Sequence, residues 1–323
     1  MGISMRHVLE QGAMLRTLGG AALTVFHGRR TTTAKPETPG PWLSFETAPP
    51  SEALIRDFVR SSGGDPSSYR GHIPPTLFPQ WAIPAAFQAI AGASYPLLRV
   101  INAGCRFEQH APLPSGERLL VKARLDSVDD DGRRVILTTR IVTGTASAPD
   151  ALVSELRAYV PLGERAEGDG KAKGGKKPTT IVPTSAREVA ALRLPHHAGL
   201  DFAKLTGDFN PIHWIPAYAK ASGFRSSILH GFGTLALASE AVVRRVLSGN
   251  ASALAWMDAR FTRPLVLPAR VFVYVSEPRT GERDVYVGEA PGARAYLVGN
   301  FATRDPSFIT QASEQEAEGA KVG

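Results

Sequence analysis

The sequence predicts an α+β protein of two similar units, each a long helix wrapped by an antiparallel β-sheet. Three observations carry this. Arg106-Phe107 is followed by Pro114, and Arg260-Phe261 by Pro268, at the same spacing of eight residues from the Arg. An alanine-rich apolar stretch lies upstream of each pair, AIPAAFQAIAGAS (82–94) and FGTLALASEAVVRRVL (232–247). A Gly- and Lys-rich stretch, GERAEGDGKAKGGKKPTT (163–180), separates the copies and offers nothing to pack in a core. One spacing match could be chance; the same order of helix and strands, met twice, marks an internal repeat.

The elements follow in order. Residues 1–40 are an N-terminal extension, MGISMRHVLEQGAMLRTLGGAALTVFHGRR and then the Pro- and Thr-rich TTTAKPETPGP. Its near-helical apolar spacing and few acids fit a short amphipathic helix packed on the body, or, over 1–34, a mitochondrial presequence. The first unit spans 41–162. Its helix opens near Phe78-Pro79-Gln80, its Pro114 precedes the strand-like RLLVKARL (118–125), and VSELRAYVPL (153–162) closes it. The second unit spans 181–304. Here Pro268 precedes RVFVYV (270–275), and ARAYLVGNFA (293–302) closes the unit. Its helix has apolar faces at Phe232, Leu235, Val242, Val243, Val246 and Leu247. Arg244 and Arg245 sit where the dipole favours cations, and Gly249 follows as the stop. The tail 305–323 reads as disordered chain.

Composition bounds the function. The 323 residues suit two domains of ordinary size, and 43% hydrophobic with 21% charged residues is a globular balance. No apolar run approaches the roughly 18–20 residues of a membrane span. The lone Cys105 forms no intramolecular disulfide and no multi-cysteine zinc site; it reads as a reduced, buried small residue. Of the +7 net charge, the extension carries +3, the stretch 163–178 +2 and the tail −3, which leaves +5 on the body. That suits an anionic ligand, while the interleaved aromatic and basic pattern of a nucleic-acid binder is missing.

The chemistry concentrates in Gly207-Asp208-Phe209-Asn210-Pro211-Ile212-His213 and Ile228-Leu229-His230-Gly231. LDFAKLTG (200–207) reads as a short helix closed by Gly207, and Pro211 drives Asn210 out of the α region into a turn. Asp208 and His213 flank that turn, where a carboxylate and an imidazole can hold one water and move protons. Gly231, after His230, opens the long helix, whose free N–H groups suit an anionic oxygen. Taken singly, the first segment also fits a mere turn with a surface histidine, and the second an ordinary helix start.

Together, GDFNPIHWIPAYAKASGF and ILHGFGTLALAS resemble the signature of the MaoC-like (R)-specific enoyl-thioester hydratases and 3-hydroxyacyl-thioester dehydratases. Phe232 stands where that family usually has Met. RFTRPLVLP also resembles the family's strand after the helix. The strong motifs cover 207–268 and the weaker repeat 45–303, a pattern similar to double hot-dog members.

The resemblance implies the following roles. Asp208 and His213 are the catalytic dyad, and Asn210 the supporting turn residue. Gly231, with His230, contacts the thioester carbonyl oxygen. Ser239, two turns along the same helix, supports the site. The implied activity is reversible hydration of trans-2-enoyl thioesters to (3R)-3-hydroxyacyl thioesters in fatty-acid metabolism. The carrier is CoA or acyl carrier protein, and neither metal nor cofactor is needed.

The first unit lacks the dyad. Its Asp65 is followed by Arg70 and His72, so it reads as a degenerate copy whose lost dyad frees space for an acyl chain. His72, His110, His196 and His197 are assigned to structure. The alternatives are a hot-dog acyl-thioesterase or a non-catalytic acyl-thioester-binding subunit. The chain is expected to be a pseudo-dimer in itself, with a homodimer left open, and cytoplasmic unless 1–34 direct it to mitochondria.

Overall fold

The computed structural model describes residues 2–12, 36–93, 95–96, 100–162, 180–279 and 281–304. The linker over 163–179, the tail 305–323 and residues 13–35 of the extension lie outside the described residues.

The first unit begins with β1 (Leu43–Thr47) and α1 (Glu52–Ser61). A 3-10 turn, Pro66–Tyr69, leads to the two-residue β2 (His72–Ile73) and to α2 (Pro79–Ile90). Then come β3 (Ile101–Gln109), the short β4 (Leu113–Pro114), β5 (Leu119–Asp130), β6 (Arg134–Gly144) and β7 (Leu152–Pro161). The second unit repeats the series with one added helix. It runs β8 (Arg187–Leu194), α3 (Ala198–Thr206), the 3-10 turn Pro211–His213, the added α4 (Pro216–Ala221), β9 (Ile228–Leu229) and α5 (Gly231–Arg245). It ends with β10 (Leu254–Phe261), β11 (Leu265–Val266), β12 (Ala269–Val275), β13 (Glu282–Gly288) and β14 (Leu297–Thr303).

The repeat is exact in topology. One ten-stranded antiparallel sheet runs β1-β5-β6-β7-β3-β10-β14-β13-β12-β8, so the two halves mirror one another about the β3–β10 seam. The small ladders β2–β4 and β9–β11 are also counterparts. Each long helix packs on the sheet of its own half, α2 on β5 and β6, and α5 on β8, β10 and β13.

Strand chemistry explains the layering. In β6, Val135, Leu137, Thr139 and Ile141 are buried while the residues between them are only partly covered, the alternation of a sheet with one face on the core. α5 is buried from Phe232 to Val243, as befits a helix wrapped by a sheet.

Two domains with separate cores would give two separate sheets. Instead Phe58, Phe78 and Phe107 of the first half share one core with Leu235, Met257 and Phe301 of the second. Arg157 Nη1 donates to Asp258 Oδ1 across the seam at 2.8 Å, and the Arg106 guanidinium lies 4.0 Å over the Trp256 ring. Burial pushes the free Cys105 thiol up, as a structural cysteine requires.

The start of the extension packs on the body as a 3-10 helix, Met5–Gln11. His7, fully buried, bridges Asp57 Oδ2 (2.8 Å) and Glu10 Oε1 (3.1 Å). Gln11 Nε2 donates to the Leu205 carbonyl at 3.0 Å, and Lys204 Nζ to the Ile3 carbonyl at 2.9 Å. This segment therefore satisfies carbonyls at the end of α3, where helices otherwise leave them open. Among the described residues no helix is long and apolar enough to cross a membrane.

Candidate active site

The site is built where α3 stops. Gly207, at φ 81°, takes the left-handed conformation that ends the helix and turns the chain into Asp208. Asp208 Oδ1 accepts from Asn210 N–H, and Asn210 Oδ1 from Ile212 N–H, both at 3.3 Å. Asn210, at ψ 122°, caps the 3-10 turn that carries His213. The turn then lies directly on α3: a Cβ on Gly199 would come within 1.9 Å of the His213 carbonyl oxygen. Only glycine admits that approach.

β9 delivers the second half of the constellation. His213 Nδ1–H donates to the Ile228 carbonyl at 2.9 Å, which leaves Nε2 as the lone-pair nitrogen. His230, the residue before α5, stacks on His213 with ring centroids 3.5 Å apart and planes at 24°. Its Nε2–H donates to the Asp208 main-chain carbonyl at 2.9 Å, and the Asp208 carboxylate lies 3.8 Å away. Phe202 of α3 backs the His230 ring at 4.8 Å.

Burial fixes the protonation states. Burial holds His213 below the ordinary imidazole value, against the pull of the Asp208 charge and the Ile228 hydrogen bond. The fully enclosed His230 is pushed down to about 3, first by burial and next by the neighbouring His213. Both rings are therefore neutral at physiological pH.

A carboxylate oxygen of Asp208 and one ring nitrogen of each histidine lie within 4.8 Å of one another, so a metal reading deserves a test. The rings face each other instead of converging on a point, and His230 Nε2 is committed to the Asp208 backbone. A metal needs ring lone pairs aimed at one centre. The cluster is better made for proton transfer.

No side chain caps the N-terminus of α5, so its first N–H groups remain available. Gly231 and the dyad together line a cavity of about 780 Å³, with a predominantly apolar wall. Both halves build it: Ile83, Phe87 and Ile90 come from α2, Val100 from just ahead of β3, and Leu156 from β7. The degenerate half thus supplies apolar wall to the site of the other.

The structure brings Asp208, Asn210, His213, His230 and Gly231 together in that cavity. It does not bring Ser239 there. Ser239 is buried, its Oγ has no hydrogen-bond partner among the described residues, and it does not line the cavity. The repeat gives the reason. Counted from the helix starts, Ser239 in α5 ranks with Phe87 in α2, and the residue after it, Glu240, reaches the first unit's turn. There Glu240 accepts from the Tyr69 hydroxyl at 2.7 Å. His230, expected with Gly231 at the thioester oxygen, instead commits its Nε2–H to the Asp208 carbonyl and lays its ring beneath His213.

A long helix cradled by sheet, doubled within one chain and holding an Asp–His pair at the second helix start, is the double hot-dog architecture. Residues 177–290, most of the second unit, match the family model described as MaoC like domain.

Among curated proteins, enoyl-CoA hydratase ChsH3 of Mycobacterium tuberculosis is 33% identical over 174 residues, 53% of this chain and 58% of that protein. The 3-hydroxyacyl-thioester dehydratase X of the same organism is 22% identical over 244 residues, 75% of this chain and 82% of that one. The chain thus spans under two thirds of the length of ChsH3 and likewise of Arabidopsis thaliana peroxisomal enoyl-CoA hydratase 2.

Among solved structures, a MaoC-like dehydratase from Phytophthora capsici aligns with TM-score 0.65 at 17% identity, covering 83% of this chain and 96% of that one. A Mycobacterium tuberculosis protein described as having a double hotdog fold aligns at 0.54 and 14%, covering 83% and 96%. These likenesses establish the fold.

Proposed function

We propose that this chain reversibly hydrates trans-2-enoyl thioesters to (3R)-3-hydroxyacyl thioesters in fatty-acid metabolism, with CoA or acyl carrier protein as the carrier. The observation that supports it most is the neutral His213, its Nε2 free, beside the Asp208 carboxylate and an uncapped helix start in one largely apolar cavity.

The geometry suits each step. The acyl chain lies along the apolar wall, and the thioester oxygen meets the Gly231 N–H. Asp208 orients a water, and His213 Nε2 takes its proton as the hydroxyl oxygen bonds to C3. The π pair moves to C2 and the charge to the thioester oxygen, where a preorganised N–H contributes about 3–4 kcal/mol. The dyad then returns a proton to C2, and the reverse order expels water. A thioesterase would instead direct that water at the carbonyl carbon, away from the oxygen-holding N–H. A purely binding subunit would gain nothing from a proton-transfer pair. A cytoplasmic location, or a mitochondrial one if 1–34 are a presequence, belongs to the proposal as well.

Absorbance loss of crotonyl-CoA on hydration tests it. Asp208→Asn and His213→Ala should each lower kcat by about 10²–10⁴-fold. Activity unchanged in both variants overturns the mechanism, and thiol release in its place assigns a thioesterase.

A further inference from the structure

A second cavity, of about 580 Å³, opens beside the catalytic one and shares Arg263, Pro264 and Tyr296 with it. Its wall brings together Arg225, just ahead of β9, Arg263, ahead of β11, and Arg270 of β12. Three guanidinium groups in one concavity are a costly arrangement without an anion.

Glu289 is the carboxylate in this wall, and it is already engaged. Arg263 Nη2 meets Glu289 Oε1 at 3.0 Å, and the Tyr296 hydroxyl donates to the same carboxylate. The Arg263 guanidinium carbon lies over the Tyr296 ring, 3.8 Å from its centroid, so the group is held by the ring and the Glu289 carboxylate together. Arg225 and Arg270 are exposed and, among the described residues, enter no ion pair. The cavity therefore keeps a surplus of about two positive charges, on a wall it shares with the site where the thioester reacts.

We propose that Arg225, Arg263 and Arg270 form a phosphate-binding cradle for the carrier of the thioester. The reading rests on the proposed activity for the identity of the ligand. A pantetheine arm joins the thioester to a phosphate in both CoA and acyl carrier protein, so an acyl end in the apolar cavity sends a phosphate out past Arg263. A fixed planar guanidinium binds phosphate oxygens two at a time, which a point charge does not. The residual +5 of the body finds a use here.

Calorimetric titration of the full chain with CoA at low salt tests the cradle. Arg225→Gln, Arg263→Gln and Arg270→Gln should each weaken CoA binding by about tenfold or more. Arg133→Gln, which removes the same charge from a residue in neither cavity, should not. Affinity should also fall as salt rises. Melting curves check folding; if Arg263→Gln fails to fold, the exposed Arg225 and Arg270 variants carry the test.

Pantetheine affinity should be insensitive to all three arginines. Equal losses for 4′-phosphopantetheine and CoA place the phosphate common to both carriers in the cradle. A loss confined to CoA places the nucleotide phosphates there. CoA binding that ignores the arginines, or is absent from the wild type, overturns the cradle. Arginine-dependent CoA binding without crotonyl-CoA hydration would overturn the proposed activity alone.

Discussion

In the proposed mechanism His213 serves as the base, because two influences act on one ring. Burial lowers its proton affinity, while the Ile228 carbonyl fixes the proton on Nδ1 and aims the lone pair of Nε2 away from the backbone. Activity requires the neutral ring, so kcat/KM falls when acidification protonates it. With the pKa below 6.5, the acid limb of the pH profile should lie below pH 6.5. A limb at or above that value contradicts the assignment. His230 acts through Asp208, donating to its main-chain carbonyl from beneath the dyad. Replacing it as His230→Phe keeps an aromatic ring between Phe202 and His213 and deletes that donor. kcat should fall about ten- to a hundredfold with KM little changed, as expected when a catalytic group is misplaced without loss of the binding surface. A mainly structural role would instead show as a lower Tm with kcat intact in the surviving fold.

Elements position these residues through close approaches that depend on glycine. At the start of α5, a Cβ on Gly231 would lie 2.6 Å from the Phe261 ring of β10, so Gly231→Ala must displace either that ring or the helix start that presents the N–H groups. Loss of that alignment should lower kcat by about 10²-fold. Kinetics alongside circular dichroism checks it, and a wild-type kcat in the variant would show that Gly231 does not hold the oxygen. The start of this helix, the turn at Asn210 and the stop at Gly207 were legible in the sequence, because each depends on local chemistry: a proline's restriction, a glycine's freedom, an uncapped end. Ser239 was misplaced because position along a helix does not say which half the helix faces. β6 went unmarked although it alternates, and β13 with it, since neither follows a proline or motif. The clamp of His7 between Asp57 and Glu10 rests on a contact across 50 residues, which no spacing encodes.

At the scale of the molecule, the two halves share one sheet, one core and a site that neither could build alone. Their divergence is sharpest at mirrored positions. Where α2 offers Phe87 to the catalytic cavity, α5 carries Ser239 and then Glu240, buried against Tyr69 of the other half. Burial raises the Glu240 carboxyl to about 8, further than the Tyr69 hydrogen bond and the Arg244 charge lower it. The consequence is a stability that depends on pH. Below an ordinary carboxyl value of about 4.5, both folded and unfolded chains hold the proton and nothing is lost. Between about 4.5 and 8 the unfolded chain ionises while the folded one does not, so stability falls as pH rises, and the loss levels off above. Gln at this position keeps an acceptor for the Tyr69 hydroxyl and never ionises. Glu240→Gln should therefore match the wild type near pH 4.5 and exceed its stability increasingly towards pH 8. The gain there should be on the order of 2–4 kcal/mol. Denaturant unfolding of both proteins across that range measures the difference directly. A difference that stays constant with pH would mean that Glu240 is ionised in the folded protein and that Arg244 and Tyr69 together outweigh its burial.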